Sequence, residues 1–110
     1  MRIEIKGTEL VVTPALKEYI EKKFQPISRF VKRNEEQEGE KVLFVEVAKT
    51  TKHHRKGPIF YAEATLRLAK NILRAESVSS DLKSAIDQLK GVFKREVLRY
   101  KEKTDTRKKR

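Results

Sequence analysis

Lys83, Lys90, Lys94 and Lys101 follow one another at steps of seven, four and seven residues. At about 100° per residue, those steps place all four within about 40° of one another on a helix. A row of ammonium groups on one stripe suits one kind of chemistry. It neutralises the phosphates of a polyanion and releases their condensed counterions, so its grip weakens as salt rises. Arg95 and Arg99, four residues apart, stand on the far shoulder of the same segment, with Lys103 near its end. Earlier in the chain, Lys22, Arg29 and Arg33 are expected to share a weaker basic face, provided that Pro26 does not rotate the second half of that segment out of register. A lysine stripe alone is the ordinary way to solvate a surface helix. Residues 90–110, however, carry ten basic and three acidic side chains, an excess that solvation does not require.

Other chemistry finds less support. His53 and His54 are adjacent, so in extended chain they point to opposite sides, and no cysteine or spaced carboxylate completes a ligand set. Asp87 with Glu96, or Glu63 with Glu76, could form carboxylate pairs, but nothing gives them a nucleophile or a pocket. Salt bridges to neighbouring cations are the expected role. Four glycines form no phosphate-binding loop, and no Ser-His-Asp grouping stands out. The reading is therefore of a protein without enzymatic activity, metal, cofactor or small-molecule ligand. Gly91 costs a helix interior about 1 kcal/mol relative to alanine. It marks either a close approach of backbone to RNA or sheet, or tolerated drift. Tyr61 and Tyr100 suit base stacking, or else packing with the hydroxyl at the rim.

The 110 residues suffice for one domain, and 27 Lys+Arg against 16 Asp+Glu give a net charge of +11. That charge is lopsided: residues 1–33 sum to +4, 34–48 to −4, 49–57 to +4, 58–89 to zero and 90–110 to +7. Such clustering points first to nucleic acid. An anionic membrane comes second, and no long apolar helical face supports it. With no cysteine and no apolar run of membrane-spanning length, a cytoplasmic protein is expected.

The elements that must position the cations follow from periodicity. Arg2 to Lys6 alternates as a strand, and Gly7 opens a turn. Thr13-Pro14 reads as N-cap and first residue of a helix reaching about Arg33, kinked near Lys22 to Pro26 or split into two abutting helices. Residues 34–41 are acidic and lack an apolar anchor, so a solvated loop is expected. Strands are expected at Val42 to Lys49, Ile59 to Leu68 and about Ile72 to Glu76, with a basic hairpin tip at Thr50 to Pro58. Ser79-Ser80-Asp81 caps a last helix running to about Lys103. The result is an α+β fold, β-α-β-β-β-α, with a four-stranded sheet and both helices on one face. One domain over residues 1–103 precedes a basic, disordered tail at 104–110.

Ile5-Lys6-Gly7, then Thr13-Pro14-Ala15-Leu16-Lys17-Glu18-Tyr19-Ile20 with Phe24, resembles the opening of the ribosome hibernation-promoting factors and ribosome-associated inhibitors, also called sigma-54 modulation proteins. The similarity continues through Ala62-Glu63, Leu73-Arg74-Ala75-Glu76, Asp81-Leu82, Ala85-Ile86-Asp87, Arg95 and Arg99-Tyr100-Lys101, covering residues 3–103. Position 83 is Lys where that family usually has an aromatic, 92 is Val where a lysine is common, and Pro26 replaces a frequent lysine.

The resemblance implies a fold similar to double-stranded RNA-binding domains. It also implies binding to the small ribosomal subunit and its ribosomal RNA, over the messenger path and the aminoacyl and peptidyl tRNA sites, so that translation stops by occlusion. By the same likeness Lys17, Lys23, Arg29, Arg95, Arg99, Lys101 and Lys103 contact RNA, while Lys22, Arg33, Lys83, Lys90 and Lys94 come from the charge pattern. Long members of the family add a C-terminal domain, so this chain resembles the short type or the N-terminal domain of a long one. The free protein is expected to be monomeric. Two alternatives remain open: a binder of structured RNA in ribosome assembly or RNA processing, and a protein-interaction or transcription-modulating module.

Overall fold

Residues that alternate in sequence separate onto two faces of one sheet. The computed structural model describes residues 1–50 and 57–108. Its strands β1 (Arg2–Thr8), β2 (Val42–Thr50), β3 (Ile59–Leu68) and β4 (Asn71–Ser79) lie in the spatial order β1-β2-β3-β4. β1 is parallel to β2, and the other two pairs are antiparallel. Successive side chains in a strand point to opposite faces. The register therefore lines up Ile5, Val45, Ala64 and Ala75 toward the helices and Glu4, Phe44, Thr65 and Arg74 away from them.

Between β1 and β2 the chain forms α1 (Pro14–Phe24), a 3-10 helix (Gln25–Phe30) and α2 (Lys32–Glu38), and after β4 it forms α3 (Leu82–Lys108). The Thr13 hydroxyl accepts the Leu16 N–H at 3.1 Å, with Pro14 in the first turn where its missing donor costs nothing. The expected break at Pro26 occurs: α1 ends at Phe24, and Pro26 sits in the first turn of the 3-10 helix. Asp81 caps α3, its carboxylate accepting the Ser84 N–H at 2.9 Å.

The helices bury Ile20, Phe24, Ile27 and Val31 from the first stretch and Ala85, Ile86, Leu89, Phe93 and Val97 from α3 against the inner sheet face. Phe24 and Phe93 meet edge to face, ring centroids 6.5 Å apart, which locks α1 to α3. Among the described residues no polar side chain is buried, so apolar burial and packing hold the two layers together.

Three expectations need correction. Residues 34–41 are not all loop, because α2 extends to Glu38 and ends at Gly39, whose φ of 91° suits glycine. The acids that argued for solvation there are anchors. Glu35 lies 3.1 Å from the N-terminal ammonium and accepts the Lys41 N–H at 2.8 Å, while Glu38 accepts the Ala69 N–H at 2.8 Å. Gly7 lies inside β1, and the chain turns after it, at Glu9, which has a positive φ of 59°. A Cβ on Gly7 would stand 2.6 Å from the Leu10 carbonyl oxygen, so glycine serves a close backbone approach there. Finally, α3 continues to Lys108 instead of ending near Lys103, and the last two residues of the expected tail lie outside the described residues.

Candidate nucleic-acid interface

The seam where α1, the 3-10 helix and α2 meet α3 gathers cations around two aromatic rings. Lys23 from α1 and Lys83 from α3 each hold their ammonium 5.5 Å from the centroid of Tyr19. The Tyr19 hydroxyl donates to Asp87 Oδ1 at 2.6 Å, and Lys23 Nζ lies 3.1 Å from the same oxygen. The bond from Tyr19, and then Lys23, holds the Asp87 carboxyl below the usual carboxylate range. The bond to Asp87 in turn raises Lys23, which stays charged at any physiological pH. Farther along α3, Arg29 and Lys94 approach Phe30, at 4.8 and 6.0 Å from its centroid. Beyond that, Arg33 and Lys101 line one depression together with Glu38, Tyr100 and Thr104.

Each station thus pairs a cation of the first helical stretch with one of α3: Lys23 with Lys83, Arg29 with Lys94, Arg33 with Lys101. At 1.5 Å per residue, Lys83 to Lys101 spans about 27 Å. Lys90 belongs to the same stripe by its helical spacing and is half-buried. The flat aromatic faces draw the cations by their quadrupoles and keep the charged ends toward solvent. A ridge of this kind can bind phosphates at fixed intervals with little loss of side-chain freedom.

Other expected residues lie apart from the seam. Lys17 is exposed on α1, and Lys22 pairs with Glu18 at 3.0 Å along the same helix. The single face expected for Lys22, Arg29 and Arg33 is divided, since the three now belong to α1, the 3-10 helix and α2. Arg95, Arg99 and Lys103 follow at steps of four along another stripe of α3. Arg99 pairs there with Glu96 at 3.1 Å, and Lys103 lines a depression with Ala69, Lys70 and Asn71 at the β3–β4 turn.

The acids mostly act as counterions. Asp87 holds Lys23, Glu96 holds Arg99 and Glu63 holds Arg74. Tyr61 lies on the outer sheet face and donates to Glu76 at 2.5 Å. Burial, and then that bond, pushes its hydroxyl up to about 12. A Cβ added to Gly91 would meet nothing within 4 Å, so no close approach to the sheet requires glycine at that position. His53 and His54, in the basic tip, lie outside the described residues. Among the described residues no three His, Cys, Asp or Glu side chains gather as metal ligands, and no helix is long and apolar enough to cross a membrane.

Charge reading missed Tyr19, Phe30 and Asp87, although the spacing of Tyr19 and Lys23 by four was a usable signal.

Comparison with known proteins points to one family and one fold. A family model described as sigma 54 modulation protein / S30EA ribosomal protein matches residues 3–105. The crystal structure of the Thermus thermophilus Protein Y N-terminal domain superposes with a TM-score of 0.71 at 28% identity, covering 91% of this chain and 99% of that one. A ribosomal subunit interface protein from Coxiella burnetii gives the same TM-score of 0.71 at 22% identity, covering 93% and 99%, and shares the fold.

Proposed function

This chain belongs to the sigma 54 modulation protein / S30EA ribosomal protein family, and on that basis we propose that it is a ribosome-associated hibernation factor whose helical seam docks on small-subunit ribosomal RNA at the decoding region. There it blocks messenger and tRNA binding and halts translation by occupancy, a task that needs no catalysis and is carried out in the cytoplasm. The observation that carries this reading is the set of three cross-seam cation pairs along α3, two of them seated on aromatic rings. Each pair neutralises phosphate charge, and their fixed spacing suits a folded RNA better than a mobile chain.

Sedimentation through sucrose gradients, together with cell-free translation, tests it. The protein travels with small subunits and whole ribosomes at low salt, leaves them as salt rises, and depresses translation in proportion to occupancy. Migration as free protein at every salt, or normal synthesis by fully occupied ribosomes, contradicts the reading. Binding to unrelated structured RNAs as strongly as to small subunits would point to a general RNA binder instead.

A further inference from the structure

The last station of the seam extends past its two cations. The depression that holds Arg33 and Lys101 offers about 160 Å³, and the one beside the β3–β4 turn, with Lys70 and Lys103, about 370 Å³. Ala69, Tyr100 and Thr104 line both, so the two form one hollow that continues across Tyr100. Its walls are tied down. The Thr104 hydroxyl donates to the Tyr100 carbonyl at 2.9 Å. Glu38 of α2 accepts the Ala69 N–H at 2.8 Å, which fixes the turn where Ala69 takes a positive φ of 54°.

The charge of the hollow is one-sided. Arg33, Lys70, Lys101 and Lys103 make no ion pair among the described residues, whereas the acid in the lining, Glu38, is taken up by Lys41 Nζ at 2.6 Å and by the Ala69 amide. Cations alone would suit any anion, and Tyr100 narrows the choice. At the first two stations the aromatic faces are occupied, since Lys23 and Lys83 lie over Tyr19 and Arg29 and Lys94 over Phe30. Among the described residues no cation lies over Tyr100, which is half-buried against the core, and its hydroxyl makes no hydrogen bond. The exposed side-chain amides of Gln37 and Asn71 line the hollow on either side, likewise without a hydrogen bond among the described residues. A vacant ring face with amides beside it offers stacking together with donors and acceptors for the edge of a base. Duplex RNA keeps its bases stacked and paired, so only an unpaired nucleotide can use it.

We propose that this hollow takes one unstacked base of a single-stranded RNA segment, its ring on Tyr100 and its flanking phosphates on Lys70 and Lys103 to one side and Arg33 and Lys101 to the other. The proposal rests on the reading of the seam as an RNA surface and divides its labour: the first two stations meet phosphate charge, and the last holds an exposed nucleotide. Tyr100 thereby has a task that its packing against the core does not require.

Fluorescence anisotropy and ultraviolet cross-linking on the full chain test this, with an oligouridylate of about twelve nucleotides and a duplex RNA of the same length as probes. Tyr100→Leu, which keeps an apolar side chain for packing, weakens oligouridylate binding about tenfold, Tyr100→Phe keeps it within about twofold, and neither alters duplex binding or thermal unfolding. Lys70→Glu, at an exposed turn outside the core, weakens oligouridylate binding severalfold. The cross-link to uridine falls on the peptide that contains Tyr100. Unchanged oligouridylate binding by Tyr100→Leu overturns the proposal, and so does a cross-link on Tyr61 or Phe44 of the outer sheet face. Loss of duplex binding in step with single-strand binding also overturns it, because Tyr100 would then act only through packing. Ribosome gradients judge the hibernation reading separately, so a negative result with these probes strikes the base site alone.

Discussion

The helical seam and the outer sheet face use the same ionic residues to opposite ends. At the seam, cations from both helical stretches lie over Tyr19 and Phe30, and Asp87 is the acid bonded within that cluster. On the sheet, four basic and four acidic side chains share the outer face with exposed Phe44, Ile72 and Val78. Net charge therefore says little about where a partner binds. What distinguishes the two regions is how far local acids cancel local cations, and that depends on the fold bringing distant segments together.

The largest effect expected from breaking this contrast is electrostatic. Lys23→Glu, Lys83→Glu and Lys94→Glu combined should weaken ribosome binding at least a hundredfold at low salt. They should also flatten its logarithmic salt dependence by roughly 0.7 to 0.9 for each phosphate that is no longer neutralised. Arg67→Glu, the same change of sign on the sheet, should stay within twofold in the same gradient assay.

Stability separates two glycines. Gly7→Ala forces a Cβ to within 2.6 Å of the Leu10 carbonyl oxygen and 2.9 Å of Val12 Cγ2. It should cost about 1–3 kcal/mol in a denaturant titration, the usual toll of overpacking. Gly91→Ala, on the open side of α3, should stabilise by about 1 kcal/mol. If RNA backbone rests against that position, the same variant binds ribosomes more weakly despite its greater stability.

The smallest expected effect concerns Asp87. Its native pKa is depressed, chiefly by the Tyr19 hydroxyl and then by Lys23. Its contribution to stability is therefore complete above the unfolded carboxylate pKa and is lost as pH falls through the lower native value. Asp87→Asn should be slightly less stable than the native chain at neutral pH, with the gap closing in acid below about pH 4. Thermal melts across pH read this directly. Ribosome binding should hold or strengthen, since the variant removes a negative charge from the seam.

Much of the frame was legible because it rests on local physics. The alternation from Phe60 to Leu68 and the Thr13-Pro14 start each needed only near neighbours. α2 was hidden because Glu35 and Glu38 look like solvated acids until the N-terminal ammonium and the Lys41 and Ala69 amides come within reach. At the site, the lysine stripe on α3 could be read from helical period alone. Its pairing with Lys23, Arg29 and Arg33 could not, because Tyr19 and Phe30 receive cations from segments far apart in sequence. The outer sheet face escaped notice for a similar reason: its mixture of charged and apolar side chains exists only once four strands are in register.

Chemical footprinting of small-subunit ribosomal RNA, with and without the protein, addresses the central claim most directly. Protection at the decoding nucleotides that fades with salt and vanishes with the triple lysine reversal is the predicted result. Protection elsewhere on the subunit, or protection that survives the reversal, would contradict it.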